Sequence, residues 1–176
     1  PLGMLDRIGW WGALGMIAVA LAYTFFMLIA SRGAPRHGGL SHPDAPLLVV
    51  ILMPCLNEAA VIGASVRRLT SIPDPGLRIM VIDDGSDDDT AQVAAQAGDE
   101  RVEVVRRRPP HARLGKGEAL NDALSIVRSR CTTVSSSRVV VGVMDADGRL
   151  DPHAIGEVRK AFAPREVGAV QMGVRI

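Results

Sequence analysis

Aromatic residues make up only 3% of the 176 residues of this chain. Proteins that hold single-stranded nucleic acid need aromatic faces along a basic groove. Five of the six aromatics, Trp10, Trp11, Tyr23, Phe25 and Phe26, fall in the first segment, and the formal net charge is only +1. Both shortages argue against a nucleic-acid partner. Cysteine is equally scarce: Cys55 and Cys131 stand alone, with no CxxC pair and no ligand-like spacing. That excludes a disulfide scaffold and a cysteine-built metal site, and leaves both as small apolar packing residues. His37 and His42 likewise lack a partner at metal-ligand spacing. What remains, 48% hydrophobic and 22% charged residues, is the balance of one globular domain with an appendage.

Charge is missing from one stretch altogether. No Asp, Glu, Lys or Arg stands between Arg7 and Arg32. Written as a helix, residues 8–31 would span about 36 Å, against a bilayer hydrocarbon core of about 30 Å. Trp10 and Trp11 stand at its start, where indole rings favour the interface; Arg32 and Arg36 follow its end, against Arg7 and Asp6 before it. These features predict a transmembrane helix over 8–31, a lipid bilayer as partner, and the remaining domain on the cytoplasmic face of an inner or plasma membrane. Pro1–Gly3, ahead of Met4, read as a protease-cleavage remnant outside the fold. Residues 33–46, rich in Gly, Pro and His, read as a linker.

From Leu47 onward, apolar runs alternate with amphipathic ones. Leu47–Met53, Leu77–Ile82, Val102–Arg106 and Val139–Met144 read as strands, the first a continuous apolar run suited to burial on both faces. Glu58–Leu69, Asp88–Ala97, Gly117–Arg128 and Pro152–Phe162 read as helices, the last with Asp151 as N-cap. Val167–Ile176 opens a fifth strand. The alternation predicts an α/β fold, a mostly parallel sheet with helices on both faces. Ligands of such sheets lie at the carboxyl ends of the strands, near the point where strand order reverses.

Those ends carry acids. The first strand ends in Pro54-Cys55-Leu56-Asn57-Glu58, the second in Asp83-Asp84-Gly85-Ser86, the fourth in Asp145-Ala146-Asp147-Gly148. Carboxylates gathered at one edge repel unless a cation joins them, and a divalent ion with oxygen ligands, shared with a phosphate, meets that need. In an extended strand Asp145 and Asp147 would point the same way and reach one ion. Each cluster alone is also what a solvated turn or helix cap looks like; their arrival at one edge favours the functional reading. Asp87, Asp88 and Asp89 read as capping and solvated acids. Gly115-Lys116-Gly117-Glu118 is not a P-loop, because no Ser or Thr follows the lysine, and Arg149 stands where an EF-hand needs an oxygen ligand.

The segments VVILMPCLNEAAVI, IMVIDDGSDDDT, LGKGEALNDAL and VVVGVMDADGRLDP, in this order, resemble the family 2 glycosyltransferases of the GT-A fold over about Leu47 to Ile176. The resemblance implies a Rossmann-like nucleotide-sugar-binding domain. Glu58, Asp83 and Asp84, in the company of Pro54 and Asn57, would contact the base and ribose. Lys116 would sit near the diphosphate or sugar. Asp145 would serve donor and metal alike, and with Asp147 would hold Mg2+ or Mn2+. The predicted anchor and the closing VGAVQMGVRI look like the processive, polysaccharide-synthase branch. That branch implies a UDP-sugar donor, a glycan or lipid-linked acceptor, and hexosyl or N-acetylhexosaminyl transfer. The family's acidic general base belongs to a later motif, expected beyond Ile176, so the chain by itself is expected to bind donor without efficient transfer. Arg106, Arg107 and Arg108 read as a solvated strand edge. Two rivals stand beside this reading. Met144-Asp145-Ala146-Asp147-Gly148 resembles the nucleophile motif of haloacid-dehalogenase phosphohydrolases, with Arg149 out of place, and a non-catalytic nucleotide-sugar binder would carry the same donor site.

Overall fold

The computed structural model describes residues 11, 14–26, 47–131, 134–163 and 167–173. The chain divides into two compact units, Pro1–Gly38 and Gly39–Ile176. In the first, the described residues 11 and 14–26 are helical (helix α1) and all exposed. Among the described residues no helix is long and apolar enough to cross a membrane. This overturns the expected transmembrane helix over 8–31, with the membrane location, cytoplasmic orientation and bilayer partner drawn from it. Residues 1–3, the linker over 33–46 and the arginines flanking the apolar run lie outside the described residues.

The second unit follows the alternation: β1 (Leu48–Cys55), α2 (Ala59–Thr70), β2 (Leu77–Asp83), α3 (Thr90–Ala97), β3 (Val102–Arg106), α4 (Lys116–Arg130), β4 (Val139–Val143) and α5 (Ala154–Ala161). All pairings are parallel, in the order β3-β2-β1-β4. β1 and β2 are buried over most of their lengths, as their apolar runs require. Their residues divide between two clusters. Val49, Ile51, Met53, Leu77, Ile79 and Val81 face α2, α3 and α5 through Ile62, Val66, Leu69, Ala94 and Ile155. Val50, Leu52, Met80 and Ile82 face α4 through Ala119, Ala123 and Val127. Burial of each such Leu, Ile, Val or Met side chain contributes about 1.5–3 kcal/mol.

The chain steps outward from β1 to β2 to β3, then returns across the sheet through α4 to place β4 on the other side of β1. The strand order therefore reverses between β1 and β4, which is where an open α/β sheet leaves its crevice. The fifth strand expected from Val167 does not form within 167–173, which run as irregular chain. β4 consequently stays an edge strand among the described residues, with Val141 and Val143 exposed. An open groove of about 1120 Å³ runs beside it, lined by Val139–Gly142, Leu150, Phe162 and part of 167–172, and by none of the acids of the sheet edge.

Candidate functional site

The strand register sets the site. Cys55 pairs with Asp83, and Asp83 with Arg106, so the ends of β1, β2 and β3 lie level. Met144, just past β4, donates its backbone N–H to Leu52 O at 3.0 Å, which brings Asp145 alongside. Cys55 reports the outcome electrostatically. Its thiol is pushed up to about 12, first by burial and then by the negative charges of Glu58, Asp83 and Asp145. Three carboxylates from three strand ends thus act on one buried sulfur.

Asp83 and Asp84 are buried, not solvated. Asp83 Oδ1 accepts the Ser86 N–H at 2.8 Å, closing the turn in which Gly85 adopts a left-handed φ of 81°. Its Oδ2 is 3.0 Å from Arg106 Nε, but off the hydrogen-bond line, so this buried oxygen has no hydrogen-bond donor among the described residues. Asp84 Oδ1 takes an ion pair from Arg107 Nη1 and the backbone N–H of Arg113 at 3.0 Å. Arg107 Nε reaches Asp122 on α4 at 2.8 Å. Arg107 is only 7% exposed, which corrects its reading as part of a solvated edge. Arg106 and Arg108, on either side, are exposed as expected.

Asn57 and Glu58 form the turn into α2, Asn57 with a φ of 59° that asparagine tolerates. Asn57 is occupied structurally: its N–H donates to Ser86 Oγ at 2.9 Å, and its Oδ1 accepts the Asp87 N–H at 2.8 Å. The first N–H groups of α2 are satisfied from the neighbouring helix start. Glu58 N–H donates to Thr90 Oγ1 at 2.8 Å and Ala59 N–H to Asp88 Oδ2 at 3.1 Å. Asp88 is thus a cap, and its hydrogen bonds with Thr90 and the Ala59 N–H hold its carboxyl below the usual range. Pro54, half-buried near the end of β1, sits level with Ile82.

Asp145 and Asp147 are both exposed, but not within a strand as expected. β4 stops at Val143, and Gly148 N–H donates to Asp145 O at 2.9 Å, so the pair stands in a tight turn instead of a strand. Ala146 between them tucks into the core while both acids face out. Only glycine fits at 148, since a Cβ there would lie 2.7 Å from Met144 Cγ and 2.9 Å from Asp145 O. Lys116, the first residue of α4, pairs its ammonium with Asp145 Oδ1. Among the described residues no group of three or more His, Cys, Asp or Glu side chains could hold a metal. An all-protein cage is therefore absent there. Two exposed carboxylates instead fit the other common arrangement, an Mg2+ or Mn2+ ion completed by phosphate oxygens and water.

Arg113 and Asp122 escaped the sequence reading, and Arg107 was assigned to a solvated edge. The signal was there in principle: two adjacent acids at a buried strand end need counter-charges, and a period of two along a strand end buries every second arginine.

The sequence profile described as Glycosyl transferase family 2 matches residues 50–176. The chain belongs to this family. Among relatives of this family 2 chain is the beta-monoglucosyldiacylglycerol synthase of Trichormus variabilis, 28% identical over 92% of this chain and 33% of that protein. An uncharacterized glycosyltransferase of Mycobacterium bovis is 35% identical over 69% of this chain and 45% of that protein. The chain thus spans between a third and a half of the length of these two relatives. In fold it is similar to a mannosyltransferase from Pyrobaculum calidifontis, solved in complex with GDP-Man and Mn2+, with a TM-score of 0.67 at 24% identity over 91% of this chain and 47% of the other. Family membership removes the phosphohydrolase reading of the Asp145 motif.

Proposed function

We propose that residues 47–176 form the donor-binding part of a metal-dependent glycosyltransferase that takes a nucleotide-sugar, UDP-sugar first, and passes a hexosyl or N-acetylhexosaminyl group to a glycan or lipid-linked acceptor. The observation that carries this reading is the convergence of buried Asp83 and Asp84 with exposed Asp145 and Asp147 at the reversal point of the sheet. Acids at one end suit the base and ribose, whose N–H and hydroxyl donors need acceptors; Asp83 Oδ2, buried beside Arg106 at 3.0 Å, has no hydrogen-bond donor among the described residues. Glu58, at the start of α2, flanks the same position, with Pro54 and Asn57 shaping the loop beneath it. Exposed acids at the other end suit a cation held jointly with phosphates, and Lys116 supplies a compact positive charge beside them. Asp145 and Asp147 would hold Mg2+ or Mn2+, which when bound supplies Lewis-acid stabilisation of the departing nucleoside diphosphate. The lipid product in the name of the Trichormus relative supports a lipid acceptor, and GDP-Man in the mannosyltransferase complex makes GDP the second nucleotide to test.

Asp147→Asn tests the metal end without disturbing the fold, because the side chain is exposed. Metal-dependent nucleotide binding, read by calorimetry, should be lost while the circular dichroism spectrum is unchanged. Wild-type affinity in this variant would sink the metal assignment.

A further inference from the structure

Lys116 is electrostatically misplaced. It opens a helix of 15 residues, at the end where the backbone dipole is positive and a cation is disfavoured. No side chain caps that helix end, and the loop before it is fastened elsewhere: Arg113 donates to Gly85 O at 2.7 Å and pairs with Asp87. What meets the ammonium is Asp145 Oδ1, a carboxylate that the proposed function assigns to the metal. Asp147, two residues away, has no ion-pair partner among the described residues.

Resting on that functional reading, we propose that Lys116 is a placeholder cation. It neutralises Asp145 while no metal is bound and is released from that carboxylate when a divalent ion arrives with the donor diphosphate. The charges then rearrange without any being left alone. The metal takes the carboxylates, and the freed ammonium, already at the positive end of α4, turns to the phosphate oxygens. Metal and nucleotide each provide what the other's arrival requires, so they bind cooperatively. The ion alone must compete with a tethered ammonium and binds weakly. Both partners are more than half exposed, so the competition is modest in size.

This makes the sign of one substitution differ between two ligands. In the full chain, Lys116→Met should bind Mn2+ alone more tightly, by about two- to fivefold, read from the electron paramagnetic resonance signal of free Mn2+. The same variant should bind UDP with Mn2+ about tenfold or more weakly by calorimetry, because a charge-assisted contact to phosphate is gone. Lys116→Arg, which keeps the charge, should leave Mn2+ affinity near wild type. Adding Asp145→Asn to Lys116→Met should abolish the gain in Mn2+ affinity. Opposite signs for the two ligands support the placeholder. Unchanged or weaker Mn2+ binding by Lys116→Met overturns it, even where wild type binds UDP with Mn2+ and the functional reading stands. Failure of wild type to bind UDP or GDP with Mn2+ overturns both.

Discussion

Arg107 shows how much of the site one residue holds. Its guanidinium spans Asp84 at the end of β2 and Asp122 on α4, with a side chain only 5% exposed. Removing one partner of a buried pair leaves the other charged and uncompensated, at a cost of about 3–5 kcal/mol. Arg107→Met should therefore lower unfolding stability by about that much in urea titrations. Arg107→Lys should recover part of it, since a single ammonium cannot reproduce the two-pronged contact. Stability of Arg107→Met within about 0.5 kcal/mol of wild type would contradict the pairing. The acids themselves were legible, because runs such as Asp83-Asp84-Gly85-Ser86 carry their own signal. Arg107 was not, because in Arg106-Arg107-Arg108 only the strand's alternation separates the buried residue from two solvated ones.

The elements were legible wherever one pattern decided them. Continuous apolar runs marked β1 and β2, and the amphipathic stretches marked α2, α4 and α5 to within a few residues. Two expectations failed where an element depends on something outside its own sequence. Val167–Ile176 has a strand's composition, yet 167–173 pair with nothing. Asp145-Ala146-Asp147 was read as extended, but Gly148 closes it into a turn. That turn is testable. Gly148→Ala would push its methyl against Asp145 O, so nucleotide affinity in the presence of Mn2+ should fall several-fold, while affinity in EDTA should not change. An equal fall in both would place the defect elsewhere. α5 is fastened by Arg159, which donates to Asp74 through Nε at 3.0 Å and Nη2 at 2.7 Å. Burial alone would raise the Asp74 carboxyl, but these bonds and the Gly76 N–H outweigh it and hold it below its ordinary value. A lowered folded-state value means stability that is fully present above the unfolded carboxylate range, near about 3.9, and lost as pH falls through the folded value. Asp74→Asn should thus melt lower than wild type at pH 7, and the gap should close as the pH is brought below about 4. A gap that stays constant down to pH 2 would show that the ionised pair is not its source.

At the scale of the molecule, the order β3-β2-β1-β4 brings acids scattered along the sequence to one edge of the sheet. Sequence alternation predicted the parallel sheet that is found, and the family match over 50–176 agrees with the family resemblance. The apolar stretch over 8–31 is where local composition misled. Hydropathy counts residues, whereas spanning needs a helix both long and apolar enough, and none is found among the described residues. On the proposed function, the acidic edge binds a nucleoside diphosphate through a divalent ion. Calorimetric titration of UDP into the full chain, with Mn2+ and again with EDTA, tests it most directly. Binding should be saturable with Mn2+ and weaken at least tenfold in EDTA. Equal affinity in both conditions, or no binding of UDP or GDP in either, would contradict it.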